Sequence, residues 1–144
     1  MRTLQFAIEL ANRAFKDKKD LSGKPYIDHL TRVMESVPDY GEGELKQIAI
    51  LHDILEDCPE WNQASLRQLF SDRVVDSILI LTKRDKEPYG SYIERIIDSQ
   101  SDWAIRVKLA DLRDNMNLTR LNALTEKDID RLKKYHTAYI RLTQ

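Results

Sequence analysis

Ile48-Ala49-Ile50-Leu51-His52-Asp53-Ile54-Leu55-Glu56-Asp57 is the stretch on which the reading of this chain turns. Four consecutive apolar residues, 48–51, cover every side of a helix, and a helix apolar all round is buried all round. The run continues directly into four acids or imidazoles within six residues. His52 and Glu56 lie four apart, as do Asp53 and Asp57, so a continuous helix over Glu44–Asp57 sets them in two adjacent rows on one surface. A buried carboxylate without a partner costs several kcal/mol or shifts its pKa until neutral, so something cationic is expected beside this face.

Outward from this stretch the chain reads as all-α. Leu4, Ala7, Ile8, Ala11, Ala14 and Phe15 recur at spacings of three and four and build a first amphipathic helix. Charge and Gly23 break the pattern, Pro25 suits the first turn of a second helix through Val37, and Pro59 limits the third. A short helix is expected over residues 64–70, and Ser71 caps the next one, through Leu81. Ser91 with Glu94 forms a capping-box pattern, a further helix runs from Ser101 or Asp102 to Leu118, and Thr125 with Asp128 opens the last. Segments 48–51 and 78–81 have strand-like composition, but both continue into helical patterns and no Asn-Gly hairpin signal occurs. The expectation is a single compact bundle of about eight helices forming one domain over residues 1–144.

Composition narrows the function. The chain is 42% hydrophobic and 33% charged, with 23 Lys+Arg against 24 Asp+Glu for a net charge of -1. That balance argues against a protein that neutralises nucleic-acid backbones, while leaving room for a local basic pocket. No signal peptide or apolar run of membrane-spanning length is present, so a cytoplasmic protein with no membrane partner is expected. Cys58, the single cysteine, excludes an intrachain disulfide and reads as a small packed residue, not a nucleophile. His136, Trp61, Trp103, Tyr89 and Tyr92 read as surface or packing residues.

Two other helices repeat the anomaly of polar residues in apolar surroundings. Asp111 lies among Ala104, Val107, Ala110 and Leu112, with Asn115 four residues on, and His29 lies among Tyr26, Leu30 and Val33. Taken singly, His29 reads as a structural histidine, Asp111 as the partner of Lys108 or Arg113, and Glu56 and Asp57 as a solvated helix end. Taken together, His29, His52, Asp53 and Asp111 are a sensible ligand set for one divalent metal of the Mn/Fe/Zn group. Imidazole supplies affinity and the carboxylates offset the charge.

These residues carry a resemblance. His52-Asp53, preceded by His29 and followed by Asp111, resembles the HD phosphohydrolase superfamily. Gly23-Lys24-Pro25-Tyr26-Ile27-Asp28-His29, Leu51-His52-Asp53-Ile54-Leu55-Glu56-Asp57 and Val107-Lys108-Leu109-Ala110-Asp111 with Asn115 are similar, more narrowly, to the hydrolase domain of RelA/SpoT-type alarmone enzymes. Leu81-Thr82-Lys83, Arg131 and Tyr135 extend the match over roughly residues 4–140.

The resemblance implies a Mn²⁺ ion on His29, His52, Asp53 and Asp111, and Glu56 with Asp57 positioning and deprotonating the attacking water. It implies nucleotide contacts at Asn115 and Tyr135 and removal of pyrophosphate from the 3′ position of (p)ppGpp. The remaining chain leaves no room for a synthetase domain, so a bifunctional enzyme is not expected. Two departures touch substrate recognition. The basic pair that family members place directly before the Gly-x-Pro-Tyr segment stands earlier, at Lys18-Lys19, with Asp20-Leu21-Ser22 between, and Leu118 replaces a frequent threonine, with Thr119 one place late. Lys18, Lys19 and Lys108 are candidate substrate contacts; Lys83, Arg84, Lys86, Arg113 and Arg120 are basic side chains that reach phosphate or simply face water. Two other readings keep the scaffold: an NADPH 2′-phosphatase or other nucleotide phosphohydrolase, and a non-catalytic nucleotide-binding regulator. The presence of both Glu56 and Asp57 ranks the regulator last. Monomer and homo-oligomer are equally compatible with the sequence.

Overall fold

A computed structural model describes residues 1–144 as helices joined by short connections. In order these are α1 (Leu4–Ala14), α2 (Tyr26–Ser36), α3 (Glu44–Leu51), α4 (Ile54–Asp57), α5 (Gln63–Arg67), α6 (Asp72–Leu81), α7 (Tyr89–Asp98), α8 (Asp102–Asn115), a 3₁₀ turn (Leu118–Arg120) and α9 (Glu126–Leu142). The only β-type pairing is an isolated bridge between Lys19 and Pro25.

α3 is the hub of the fold, packing against α1, α2, α6 and α8. Leu45, Ile48, Ile50 and Leu51 are each fully buried, and burying a side chain of that size contributes roughly 1.5–3 kcal/mol. The apolar-all-round reading of residues 48–51 is thus met by neighbours on every side. One core of 31 buried residues surrounds it. Thr3, Ser71, Ser101 and Thr125 cap α1, α6, α8 and α9 with their side-chain oxygens, and Thr125 with Asp128 closes a capping box.

Three boundaries differ from the sequence reading. The expected third helix, Glu44 to Asp57, is broken at His52-Asp53 into α3 and α4. The His52 Nδ1–H donates to the Ala49 carbonyl at 2.7 Å, the acceptor that a continued ladder would give to the N–H of residue 53. Asp53 accordingly sits at φ -98°, ψ 1°, in the bridge region. The two continuous rows of polar residues therefore do not form; Glu56 and Asp57 belong to the first turn of a new helix, where acids are favoured. α7 starts at Tyr89 behind Pro88, so Ser91 lies inside its first turn and is not its cap. α8 ends at Asn115 and residues 118–120 form a separate 3₁₀ turn.

Candidate metal centre and cleft

α2, α3 and α8 pack on one another, and the centre lies where they meet. His29 comes from α2, His52 and Asp53 from the break after α3, and Asp111 from α8. One ligand-type atom from each of the four lies within 4.8 Å of the others. His29 Nε2 is 2.9 Å from Asp111 Oδ1, while His52 Nε2 is 3.3 Å from the same oxygen and 3.4 Å from Asp53 Oδ2. His29, His52 and Asp111 are buried and Asp53 is half-buried.

The donor set fits a divalent cation. The bond to Ala49 puts the His52 proton on Nδ1, so its Nε2 lone pair faces carboxylate oxygens, and that buried nitrogen has no hydrogen-bond partner. A lone pair among carboxylates is stable only around a positive charge, supplied by a proton or a metal. Burial acts to lower the pKa of both histidines, but the carboxylates override it and push each up to about 9. The site demands a cation in one form or the other. Burial likewise acts to raise the Asp111 pKa, and Lys108, His52 and His29 hold it well below the usual carboxylate range.

Neighbouring groups fix the four. The Tyr26 hydroxyl donates to Asp53 Oδ2, and burial together with Asp53 keeps that phenol protonated. Asp114 holds the other nitrogen of His29, with Oδ2 2.6 Å from Nδ1. Glu56 accepts the backbone N–H of Lys83, and partial desolvation raises its pKa. Asp57 pairs with the Lys18 ammonium at 2.7 Å. Cys58 is buried, and its thiol is pushed up to about 11, so it is no nucleophile at neutral pH.

A cleft of about 330 Å³ opens beside the cluster, with His29 and Tyr26 on its wall. Four expected contacts, Lys18, Lys19, Asn115 and Tyr135, line it. Asn115 also reaches back to Asp111, with Nδ2 3.3 Å from Oδ1. Lys108 does not line the cleft; it is buried, with its ammonium 3.0 Å from Asp111 Oδ2 and 5.1 Å from the Tyr92 ring centroid. The structure thus places Lys108 as a buried partner of Asp111. Among the remaining basic candidates, Arg120 alone lines the cleft, whereas Arg113 binds the Tyr139 hydroxyl.

The displaced basic pair is explained by a turn. Asp20 Oδ1 accepts from Ser22 N at 2.9 Å, Ser22 Oγ at 2.7 Å and Lys24 N at 3.0 Å, and Gly23 takes φ +82°. Backbone bonds from Tyr26 N to Lys18 O at 2.9 Å and from Asp20 N to Lys24 O at 2.8 Å close the loop. The intervening residues fold into a self-capped hairpin that itself borders the cleft, and Lys18 and Lys19 stay at the cleft beside Tyr26.

No protein-family profile matches the chain. Several bacterial proteins do, among them the following three. A GTP pyrophosphokinase of Streptomyces coelicolor is 29% identical over 128 residues, covering 83% of this chain. A guanosine-3′,5′-bis(diphosphate) 3′-pyrophosphohydrolase of Aquifex aeolicus is 31% identical over 120 residues, covering 78%. The bifunctional (p)ppGpp synthase/hydrolase SpoT of Escherichia coli is 31% identical over 129 residues, covering 81%. The match takes in 15%, 17% and 18% of these three proteins, so the chain spans about a sixth of the length of the curated relatives it matches. Among solved structures, a metazoan ortholog of SpoT, described as hydrolysing ppGpp, superposes with a TM-score of 0.77 at 19% identity, over 98% of this chain and 85% of that one. The chain is similar in sequence to a segment of SpoT-type proteins and shares its fold with the metazoan SpoT ortholog.

Three groups that touch the cluster or its cleft escaped the sequence reading: Asp114, Arg32 and the Tyr26 hydroxyl. A signal for two of them existed. Asp114 follows Asp111 by three positions and Arg32 follows His29 by three, so each shares a helix face with a ligand residue. No helix of the domain is long and apolar enough to cross a membrane.

Proposed function

We propose that the chain is a Mn²⁺-dependent phosphohydrolase that removes the 3′-pyrophosphate of (p)ppGpp, giving GDP or GTP and pyrophosphate, in the cytoplasm. The observation that carries this reading is the His29-His52-Asp53-Asp111 cluster, in which a buried imidazole lone pair faces carboxylates beside a basic cleft. Two imidazoles with two carboxylates suit a metal of the Mn/Fe/Zn group. The relatives carry the names of both a synthetase and a hydrolase. A metal-type cluster followed one turn later by Glu56 and Asp57 is hydrolytic equipment and favours the second.

When bound, the cation lowers the pKa of a water and offsets charge on the phosphoryl oxygens. Water oxygen joins phosphorus, the bond to the nucleotide 3′ oxygen breaks with the electron pair going to that oxygen, which takes a proton from solvent to become the 3′-hydroxyl, and pyrophosphate is released. Glu56, anchored by the Lys83 N–H, takes the proton; partial desolvation raises its pKa and favours that acceptance. Asp57, held by Lys18, orients the water from the neighbouring position. The Tyr26 hydroxyl keeps Asp53 aimed at the cluster. Lys18 and Lys19 meet the anionic substrate, and Asn115 and Tyr135 meet the nucleoside.

The test is incubation of the chain with Mn²⁺ and ppGpp, pppGpp, NADPH, GTP or dNTPs, with products resolved by ion exchange. Pyrophosphate formed in step with GDP or GTP is the expected result. Orthophosphate from NADPH alone would keep the site and overturn the substrate. Metal binding with no turnover of any nucleotide would leave a nucleotide-binding regulator.

A further inference from the structure

Asp114 stands at the end of α8, one turn beyond Asp111, and three side chains converge on it. His29 Nδ1 lies 2.6 Å from Oδ2; Arg32 Nε lies 2.8 Å from Oδ1 and Arg32 Nη2 3.1 Å from Oδ2. Arg120 Nη2 lies 3.3 Å from Oδ1 and donates to the Asp114 backbone carbonyl at 2.8 Å. The Asp114 side chain is only 13% exposed, and His29, Arg32, Asp114 and Arg120 all line the cleft.

A carboxylate shared by two guanidiniums is ionised and can only accept hydrogen bonds. Its contact with His29 therefore keeps a proton on Nδ1 and makes Nε2, on the side of Asp111, the nitrogen that would present a lone pair to a metal. The same carboxylate takes Arg32 through Nε and Nη2, leaving Nη1 uncommitted, and Arg32 and Arg120 have no other carboxylate within ion-pair distance. Two guanidiniums on one carboxylate leave an excess positive charge on the cleft wall. Their side chains are 35% and 30% exposed, within reach of an anion entering the cleft.

We infer that Asp114 is a positioning residue with two duties, orienting His29 as a metal ligand and holding Arg32 and Arg120 as a phosphate-binding wall of the cleft. The first duty rests on the proposed metal centre; the second does not. Because one carboxylate serves both, the metal centre and the anion wall are built as a unit. Losing the carboxylate should weaken both, whereas losing one arginine should weaken the anion alone.

The test uses the full chain, Asp114→Asn, Asp114→Glu, Arg32→Gln and Arg120→Gln, with circular dichroism to establish that each folds. Mn²⁺ is titrated into metal-free protein, followed by the free-ion paramagnetic signal, and inorganic pyrophosphate is titrated separately by calorimetry without metal. Asp114→Asn should weaken Mn²⁺ by about 10–100-fold, the usual worth of a carboxylate behind a ligating histidine. It should weaken pyrophosphate as well, and Asp114→Glu should recover part of both. Arg32→Gln and Arg120→Gln should weaken pyrophosphate while holding Mn²⁺ affinity within about 3-fold, since neither touches a ligand residue. Wild-type Mn²⁺ affinity in a folded Asp114→Asn variant would overturn the first duty, and unchanged pyrophosphate binding in both arginine variants would overturn the second. If Asp114→Asn fails to fold, the arginine variants still decide the second duty, and Asp114→Glu decides the first, where unchanged Mn²⁺ affinity overturns it. A wild-type chain that binds no Mn²⁺ would overturn the proposed metal centre and the first duty with it, while the pyrophosphate titrations judged the second on their own.

Discussion

Replacing Lys108 with Met removes a charge from a place water hardly reaches and keeps the length of the side chain. The Lys108 ammonium is 3.0 Å from Asp111 Oδ2, with the Tyr92 and Tyr89 ring centroids 5.1 and 5.8 Å away. At an effective dielectric near 20, opposite charges at that separation attract by roughly 5–6 kcal/mol, before desolvation of both groups is set against it. Removing one partner of a buried pair costs about 3–5 kcal/mol. His29 and His52 still face Asp111, so the lower end, about 3 kcal/mol, is the appropriate figure. At about 2–4 °C per kcal/mol for a chain near this size, Tm should fall by roughly 6–12 °C in chelator-treated protein. Saturating Mn²⁺ should restore part of the loss by binding the folded state alone. Thermal unfolding followed by circular dichroism, with and without chelator, measures both numbers. In parallel, KM for ppGpp should stay within about 3-fold of wild type, because loss of a group that stabilises the fold does not selectively remove substrate binding. A Tm shift below about 2 °C together with a KM raised tenfold or more would refute the argument and return Lys108 to the substrate.

Glu56→Gln preserves the acceptor for the Lys83 N–H and removes the base; kcat should fall by about 10²–10⁴-fold with Mn²⁺ affinity intact, and near-normal turnover would reduce Glu56 to a loop anchor. Asp53→Ala should lose metal and activity together, and full metal occupancy by elemental analysis would remove Asp53 from the ligand set. In metal-free protein the two cluster histidines have folded pKa values raised to about 9 from 6.5, so their stabilisation is complete below about pH 6.5 and lost as pH rises through about 9. Tm of chelated protein should fall across that window while Mn²⁺ affinity rises, because the metal displaces the same protons; a flat Tm from pH 6.5 to 9 would contradict the arrangement.

Most of the fold was legible because its signals are local. Stripes at three- and four-residue spacing, Pro25, Pro59 and the capping residues Ser71, Ser101 and Thr125 act within a turn or two, and the helices they mark are present. The clustering of His29, His52, Asp53 and Asp111 was legible for another reason: an acid or imidazole amid apolar neighbours demands an explanation, and one meeting point explains all four. The break after Leu51 was hidden because a side chain makes it, through a bond from His52 to its own helix that composition does not encode. The spacing offered both Lys108 and Arg113 as partners of Asp111, and only the packing of α8 selects Lys108, because spacing alone cannot say which side of the helix faces the interior. Asp114 was missed because its main partner, His29, is 85 positions away.

That break does more than end a helix. On a regular helix successive side chains diverge by about 100°, so adjacent residues cannot aim at one point. Here the fracture cancels the divergence, and His52 Nε2 and Asp53 Oδ2 come within 3.4 Å of each other. Neighbours in the chain thus point to one place, and the four donor-type side chains are gathered from three segments. The centre has one fewer piece of chain to order than a set of four independent ligands would require. A residue at position 52 that left the Ala49 carbonyl to the backbone would therefore do more than delete a ligand: it would allow the helix to heal and swing Asp53, Glu56 and Asp57 around its axis together.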